Sequence, residues 1–126
     1  MKKIMLIDDT ADILENLTEF LSMEGYELIT GTNGLDGLEK LNSNTPDLII
    51  TDLRMPVMDG FTFIQKIKSQ ESTKEIPILV FSANATPENE QKSLQLGAVR
   101  FIKKPCTDKL YASTTAFCDE AVEKNK

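Results

Sequence analysis

The chain contains no histidine and only two cysteines among its 126 residues. Without histidine it cannot form a Ser-His-Asp or Cys-His catalytic group, bind a metal through imidazole, or carry a phosphohistidine. The two cysteines, Cys106 and Cys118, are not in CxxC spacing, so they suggest neither a redox pair nor half of a zinc site. Any phosphoryl group that this chain handles must therefore come from a partner.

Positive charge and long apolar segments are also scarce. The formal net charge is −6, and no Lys/Arg-rich stretch interrupts the acidic composition. This argues against direct binding to nucleic acids or to anionic membranes. The first apolar run, Ile4–Ile7, is stopped at once by Asp8 and is too short for a signal peptide or a membrane span. We therefore expect a cytoplasmic protein with no membrane insertion.

Short runs rich in Ile, Val and Leu alternate with segments of helical spacing. The runs fall at about 4–7, 27–30, 48–51, 77–81 and 98–102. Such runs are typical of strands buried on both faces, and parallel strands need crossover connections. The pattern predicts an α/β fold with a five-stranded parallel sheet and helices on both faces. The length fits one domain, 1–126.

Two of the helices have clear start signals but differ in their apolar content. Thr86-Pro87 predicts the N-cap and first turn of a fourth helix, and Thr107 is a predicted cap for a fifth, which would carry Leu110, Phe117 and Ala121. The fourth helix is apolar only at Leu94 and Leu96. Its packing is thus weakly specified, and we expect it to be mobile.

Polar side chains follow four of the predicted strands. Asp8 and Asp9 follow the first, Asp52 the third, Ser82 the fourth and Lys104 the fifth. Ligands of such sheets bind beyond the carboxyl ends of the strands, near the point where strand order reverses. Three ionised carboxylates brought together would repel one another unless a cation balanced them, and oxygen ligands favour Mg²⁺. The alternative is that Asp8 and Asp9 only cap the first helix.

The same edge can also bind a phosphoryl group. A carboxylate can act as a nucleophile, and Asp52 is the best placed of the three. Lys104 could offer a positive charge to the phosphoryl oxygens, and Ser82 could donate a hydrogen bond to them. Alone, Lys104 would be interpreted as a solvated lysine and Ser82 as a turn residue, so only the combination supports a site.

In these motifs the chain resembles the receiver domains of two-component response regulators, the CheY-like family. The matching segments are Asp8-Asp9, Asp52-Leu53-Arg54-Met55-Pro56-Val57-Met58-Asp59-Gly60, Ser82-Ala83 and Phe101-Ile102-Lys103-Lys104-Pro105. They cover almost the whole chain in the expected order. The resemblance implies a doubly wound parallel sheet in the flavodoxin-like order 2-1-3-4-5, and a phosphoprotein that serves two-component or phosphorelay signalling.

The resemblance also implies a role for each site residue. Asp52 would accept a phosphoryl group from a phosphohistidine on a sensor histidine kinase or a histidine phosphotransfer protein. Asp9, Asp52 and the Arg54 backbone carbonyl would bind Mg²⁺, with Asp8 acting through water. Ser82 and Lys104 would contact the phosphoryl oxygens. A cis bond before Pro105 would aim Lys104.

Signalling in this family implies a conformational switch. Ser82 would move toward the phosphoryl group and Phe101 would turn inward, changing the surface of helix 87–96, strand 98–102 and helix 108–122 that a downstream target binds. Phe101 could equally be a plain core residue. Arg54 and Asn84 occupy the two variable positions that tune phosphoryl lifetime in the family.

Other functions fit the residues less well. A haloacid-dehalogenase-type phosphatase would need a second aspartate two residues after the nucleophile, where Arg54 stands, so we expect no turnover enzyme. A flavin carrier would need hydroxyls and glycines where Asp8-Asp9 would repel phosphate. Within the receiver class, an adaptor and a relay intermediate both remain open. The start at Met1 favours a complete protein without an output domain over a fragment of a larger regulator or hybrid kinase. We expect this protein to be a monomer or weak dimer.

Overall fold

Strands and helices alternate along the chain as the sequence pattern predicts. The computed structural model describes residues 2–104 and 107–114. The strands are β1 (Lys3–Ile7), β2 (Glu27–Gly31), β3 (Leu48–Thr51), β4 (Ile78–Ser82) and β5 (Arg100–Lys103). The helices are α1 (Ala11–Met23), α2 (Gly34–Leu41), α3 (Gly60–Lys68) and α4 (Pro87–Leu96), followed by a fifth helical segment, α5, at 107–114.

The five strands form one parallel sheet in the order β2-β1-β3-β4-β5. This confirms the predicted fold class and the strand order 2-1-3-4-5. The order reverses at β1, which pairs with β2 on one side and with β3 on the other. The carboxyl ends of β1 and β3 therefore flank the crevice where this architecture binds ligands.

The core lies on both faces of the sheet because alternate side chains of a strand point in opposite directions. On one face, Ile4 and Leu6 pack with Leu17 and Leu21 of α1 and with Leu110 of α5. On the other, Met5 and Ile7 pack with the α3 side chains Phe63, Ile64 and Ile67. The strands β1, β3 and β4 are buried almost throughout, which explains their uninterrupted apolar sequences.

The predicted boundaries of the last strands shift by one or two residues. β4 extends to Ser82, which pairs with Lys103, and β5 begins only at Arg100. The delay arises because α4 ends in a Schellman motif, in which Gly97 has φ 119° and Ala98 donates to the Ser93 carbonyl. Residues 97–99 thus complete the helix end before the strand starts.

The start of α4 is as predicted, whereas α5 is described only in part. Thr86 is the N-cap of α4, and its Oγ1 accepts a hydrogen bond from the Asn89 backbone N–H at 3.2 Å. Thr107 is already helical, so the prediction that it is the cap of α5 is wrong. The remaining predictions for α5 and its approach, on Phe117, Ala121, Pro105, Cys106 and Cys118, concern residues outside the described ranges.

Candidate functional site

Three carboxylates meet at the carboxyl ends of β1 and β3. One oxygen from each of Asp8, Asp9 and Asp52 lies within 4.8 Å of the others. Asp8 and Asp52 are buried, with 2% and 8% of their surface exposed, while Asp9 is open to solvent. The structure therefore brings together the acidic residues that the sequence analysis selected.

The backbone explains why these side chains share one edge. The Asp8 N–H donates to the Gly31 carbonyl at 3.1 Å, and the Asp52 N–H donates to the Ile7 carbonyl at 3.0 Å. These bonds extend the parallel pairing one residue beyond β1 and β3, so both residues stay in register with the sheet. Both are held in place by the most buried part of the fold.

Capping does not account for the acidic pair. Asp8 Oδ1 accepts a hydrogen bond from the Thr10 N–H at 2.9 Å, which closes a short turn before α1. The N-cap of α1 is Thr10 rather than Asp8 or Asp9, and the Thr10 side chain makes no capping hydrogen bond within the described residues. The alternative in which Asp8 and Asp9 only cap the first helix is therefore wrong.

Lys104 bridges the two buried carboxylates. Its Nζ lies 2.7 Å from Asp8 Oδ2 and 2.9 Å from Asp52 Oδ2, and 12% of its side chain is exposed. Burial alone would lower the pKa of Lys104, but hydrogen bonds and charge from Asp8 and Asp52 outweigh it, so this pKa lies above its ordinary value of 10.5. Lys104 is thus a fixed cation at the bottom of the site.

The donor set fits a hard divalent cation. Three carboxylates face one ammonium group, which leaves two negative charges unbalanced at this edge. The ligands are all oxygen, and the exposed Asp9 leaves room for the water molecules that Mg²⁺ retains. The site is therefore an acidic pocket suited to Mg²⁺; the Arg54 backbone carbonyl as a further ligand stays a prediction.

A strained turn follows Asp52 and brings the chain back into close contact with the backbone of Asp52. Val57 has φ 69°, and the Met58 N–H donates to the Pro56 carbonyl at 2.7 Å, as in a classic γ-turn. Gly60 then begins α3 so close to Asp52 that a Cβ atom there would lie 2.2 Å from the Asp52 carbonyl oxygen. Only glycine permits this approach, a role that the sequence analysis missed although the motif contained Asp59-Gly60.

Ser82 lies at the end of β4, next to Lys104 through the backbone. The Lys104 N–H donates to the Ser82 carbonyl at 3.0 Å, which fixes the end of β5 beside β4. Ser82 is completely buried, and its Oγ accepts a hydrogen bond from the Asn84 N–H at 3.2 Å. The polar ends of β4 and β5 therefore join the edge formed by β1 and β3.

Phe101 and the two variable positions surround this centre. Phe101 is half-buried and packs against the core cluster formed mainly by β1, β4 and α3, and its inward switch stays a prediction. Arg54 is exposed and lines an open cleft of about 350 Å³ together with Asn84 and Asn89. The cleft gives the site a second wall beyond the carboxylates, with both charged and amide side chains.

Helix length and apolar content bear on whether a segment could cross a membrane. Within 2–104 and 107–114, no helix has the length and apolar content needed to span a bilayer.

Comparison with known proteins identifies the family. The family model described as the response regulator receiver domain matches residues 4–114. The chain is 36% identical over 106 residues to the chemotaxis protein CheY of Treponema pallidum, covering 82% of this chain and 72% of that protein. It is 29% identical over 103 residues to the transcriptional regulatory protein PrrA of Mycobacterium bovis, covering 82% of this chain but only 43% of PrrA.

A solved structure agrees with the sequence relatives. The chemotaxis response regulator CheY4 of Vibrio cholerae superposes with a TM-score of 0.86 at 31% identity, over 93% of this chain and 98% of that chain. From the family match, which spans most of its length, the chain belongs to the response regulator receiver domain family.

Proposed function

We propose that Asp52 is the phosphoacceptor of this receiver domain and that phosphorylation depends on Mg²⁺. The observation that carries the proposal is the position of the Asp52 carboxylate, buried at a strand end with Lys104 Nζ at 2.9 Å and two further carboxylates beside it. Asp9 is exposed, and Asp8, although also buried and bound to Lys104, stands after β1 and outside the 52–60 segment that resembles the phosphoacceptor motif of receiver domains.

The chain's own groups prepare Asp52 for attack. The Leu53 N–H donates to Asp52 Oδ1 at 2.6 Å and orients the carboxylate, while Lys104 Nζ holds Oδ2. An Asp52 oxygen attacks phosphorus, the P–N bond of the donor phosphohistidine breaks, and the imidazole nitrogen keeps the electron pair and takes up a proton. The product is an acyl phosphate on Asp52.

After transfer, the new phosphoryl oxygens need positive charge and hydrogen-bond donors. Lys104 supplies an ammonium group, and the buried Ser82 hydroxyl supplies a donor once it leaves Asn84. Asp9, Asp52 and the Arg54 carbonyl would hold Mg²⁺, with Asp8 acting through water. When bound, the ion would neutralise charge on the phosphoryl oxygens.

The partners follow from this chemistry. The chain has no histidine, so the donor is a phosphohistidine on a sensor histidine kinase or a histidine phosphotransfer protein. Relatives include a hybrid histidine kinase of Dictyostelium discoideum, of which this chain covers 6%. The output is a downstream target protein that binds the surface of α4, β5 and α5. The domain itself acts in the cytoplasm as a monomer or weak dimer.

The chain promotes its own phosphorylation and dephosphorylation without being a turnover enzyme. The position two residues after Asp52 holds Arg54, which cannot act as the carboxylic general acid of an aspartate-based phosphatase. Hydrolysis of a generic phosphomonoester should therefore be undetectable. Sustained turnover far above one equivalent would contradict this part of the proposal.

Labelling by a small phosphodonor tests the acceptor directly. Acetyl phosphate with Mg²⁺ should add one phosphoryl group, detected by intact-protein mass, and Asp52→Asn should abolish it. Asp12→Asn, which changes an exposed aspartate of α1, is the matched control and should label normally. Unchanged labelling of Asp52→Asn would reject Asp52, and loss of labelling on omitting Mg²⁺ would support the metal requirement.

A further inference from the structure

Polar contacts hold much of α4 against the rest of the domain. Ser93 is its only buried residue, and Leu94 is 43% exposed. Lys92 Nζ lies 4.3 Å from the centre of the Phe61 ring of α3, a cation–π contact that water can replace at little cost. A helix with so little apolar burial can move at a small cost in free energy.

The first turn of α4 is tied to the loop that follows Ser82. Asn89 Nδ2 donates to the Asn84 carbonyl at 3.1 Å. The Asn84 N–H donates in turn to Ser82 Oγ. Farther along the helix, Ser93 Oγ donates to the Asn89 carbonyl at 2.8 Å. A continuous series of hydrogen bonds thus runs from the buried Ser82 hydroxyl to the middle of α4.

The N–H and the carbonyl of the Asn84 backbone are therefore both hydrogen-bonded. Its N–H depends on the Ser82 hydroxyl, and its carbonyl depends on the Asn89 side chain. If Ser82 rotates to donate to a phosphoryl oxygen on Asp52, the Asn84 N–H loses its acceptor. The Asn89 side chain is then the described hydrogen-bond partner that the Asn84 backbone retains, so the strength of its bond affects how easily Ser82 can leave.

We infer that Asn89 is a positioning residue that holds the 83–86 loop in the unphosphorylated conformation and so sets the equilibrium of the Ser82 switch. This inference rests on the proposed function of Asp52. The bond from Asn89 favours the state seen here, and a phosphoryl group on Asp52 favours the other. Without the Asn89 donor, the second state is reached at a lower cost.

Beryllofluoride with Mg²⁺, a stable analogue of the phosphoryl group, measures this equilibrium. Asn89→Ala and Asn89→Leu both remove the donor; leucine keeps nearly the same side-chain shape without adding charge. Loss of one net hydrogen bond should tighten beryllofluoride binding about 2- to 10-fold. Gln91→Ala, at an exposed position of the same helix, is the matched control and should bind as the wild type does. Affinity is measured by ¹⁹F NMR titration, with thermal unfolding in parallel.

A second comparison separates the switch from a local effect on the helix. In a Ser82→Ala background the Asn84 N–H has already lost its side-chain acceptor, so Asn89→Ala should have a smaller effect on binding. Equal affinity of wild type and both Asn89 variants, or weaker binding by both, would overturn the inference. An undiminished effect in the Ser82→Ala background would overturn it as well. Failure of the wild type to bind beryllofluoride would instead refute the proposed function, and the inference with it.

Discussion

Replacing Lys104 with methionine should destabilise the domain and simultaneously improve its affinity for Mg²⁺. Methionine keeps most of the length of the lysine side chain but removes the ammonium group that lies 2.7 Å from Asp8 and 2.9 Å from Asp52. The two carboxylates are almost fully buried, so the loss leaves like charges facing each other with little water between them.

The expected loss in free energy of unfolding follows from the burial of Lys104 and its two carboxylate partners. Removing one partner of a buried ion pair typically costs about 3–5 kcal/mol because the other charge stays buried. Here the 12% exposure of Lys104 and the open side at Asp9 let water enter, so we expect the lower end, about 3 kcal/mol at pH 7 without metal. The loss should shrink on addition of Mg²⁺, which replaces the missing positive charge.

The metal affinity should change in the opposite direction. A cation near Asp8 and Asp52 repels Mg²⁺, and a single and a double positive charge about 5 Å apart interact by roughly 2–7 kcal/mol at effective dielectric constants between 80 and 20. Lys104→Met should therefore bind Mg²⁺ at least about tenfold more tightly. A gain in metal affinity distinguishes this electrostatic effect from general damage to the fold.

Urea denaturation at pH 7 with and without Mg²⁺ measures the stability, and isothermal titration measures the affinity. Lys103→Met is the matched control, because Lys103 is the exposed neighbour on β5 and should change neither quantity appreciably. The reasoning would be refuted if Lys104→Met were as stable as the wild type, or if its instability were the same with saturating Mg²⁺.

Two further predictions concern the turn after Asp52 and the behaviour at high pH. Gly60→Ala should cost at least about 2 kcal/mol in urea denaturation and reduce labelling by acetyl phosphate, because its Cβ would lie 2.2 Å from the Asp52 carbonyl oxygen. Gly25→Ala, whose Cβ would meet nothing within 4 Å, should cost only about 1–2 kcal/mol from its φ of 95° and leave labelling intact; equal labelling by both variants would contradict the role given to Gly60. The raised pKa of Lys104 contributes stability that is fully present below pH 10.5, the ordinary lysine value, and is lost as pH rises through the higher folded-state pKa. Wild type should therefore lose more stability than Lys104→Met above pH 10.5, and parallel denaturation curves in that range would contradict the bridge.

The sheet and its acidic edge could be predicted because they depend on sequence-local signals. Runs such as Leu48–Thr51 are apolar at every position, which indicates burial on both faces, and a polar residue directly after the run marks the strand end. Parallel strands share one direction, so these ends must meet at one edge. The positions of Asp8, Asp9, Asp52 and Lys104 follow from that rule alone.

Close approaches between distant backbone segments could not be predicted in the same way. The need for glycine at Gly60 depends on where α3 meets the Asp52 carbonyl, and the φ of 69° at Val57 depends on the path of the same turn. Valine is a poor choice for such a conformation by propensity, so local reasoning points away from it. The bond from Asn89 to Asn84 likewise needs the first turn of α4 to be placed against the loop after Ser82.

The charge balance of the site connects its resting state to its proposed reaction. With three carboxylates and one ammonium group, the edge has two negative charges more than Lys104 can balance. Addition of a phosphoryl group to Asp52 would increase that excess, so the proposed transfer would need further positive charge, which a bound divalent cation could supply. The same ion would loosen the hold of Lys104 on Asp8 and Asp52, which frees the ammonium group to meet the new phosphoryl oxygens. On the proposed reaction, Lys104 would stabilise the site before phosphorylation and bind its product afterwards.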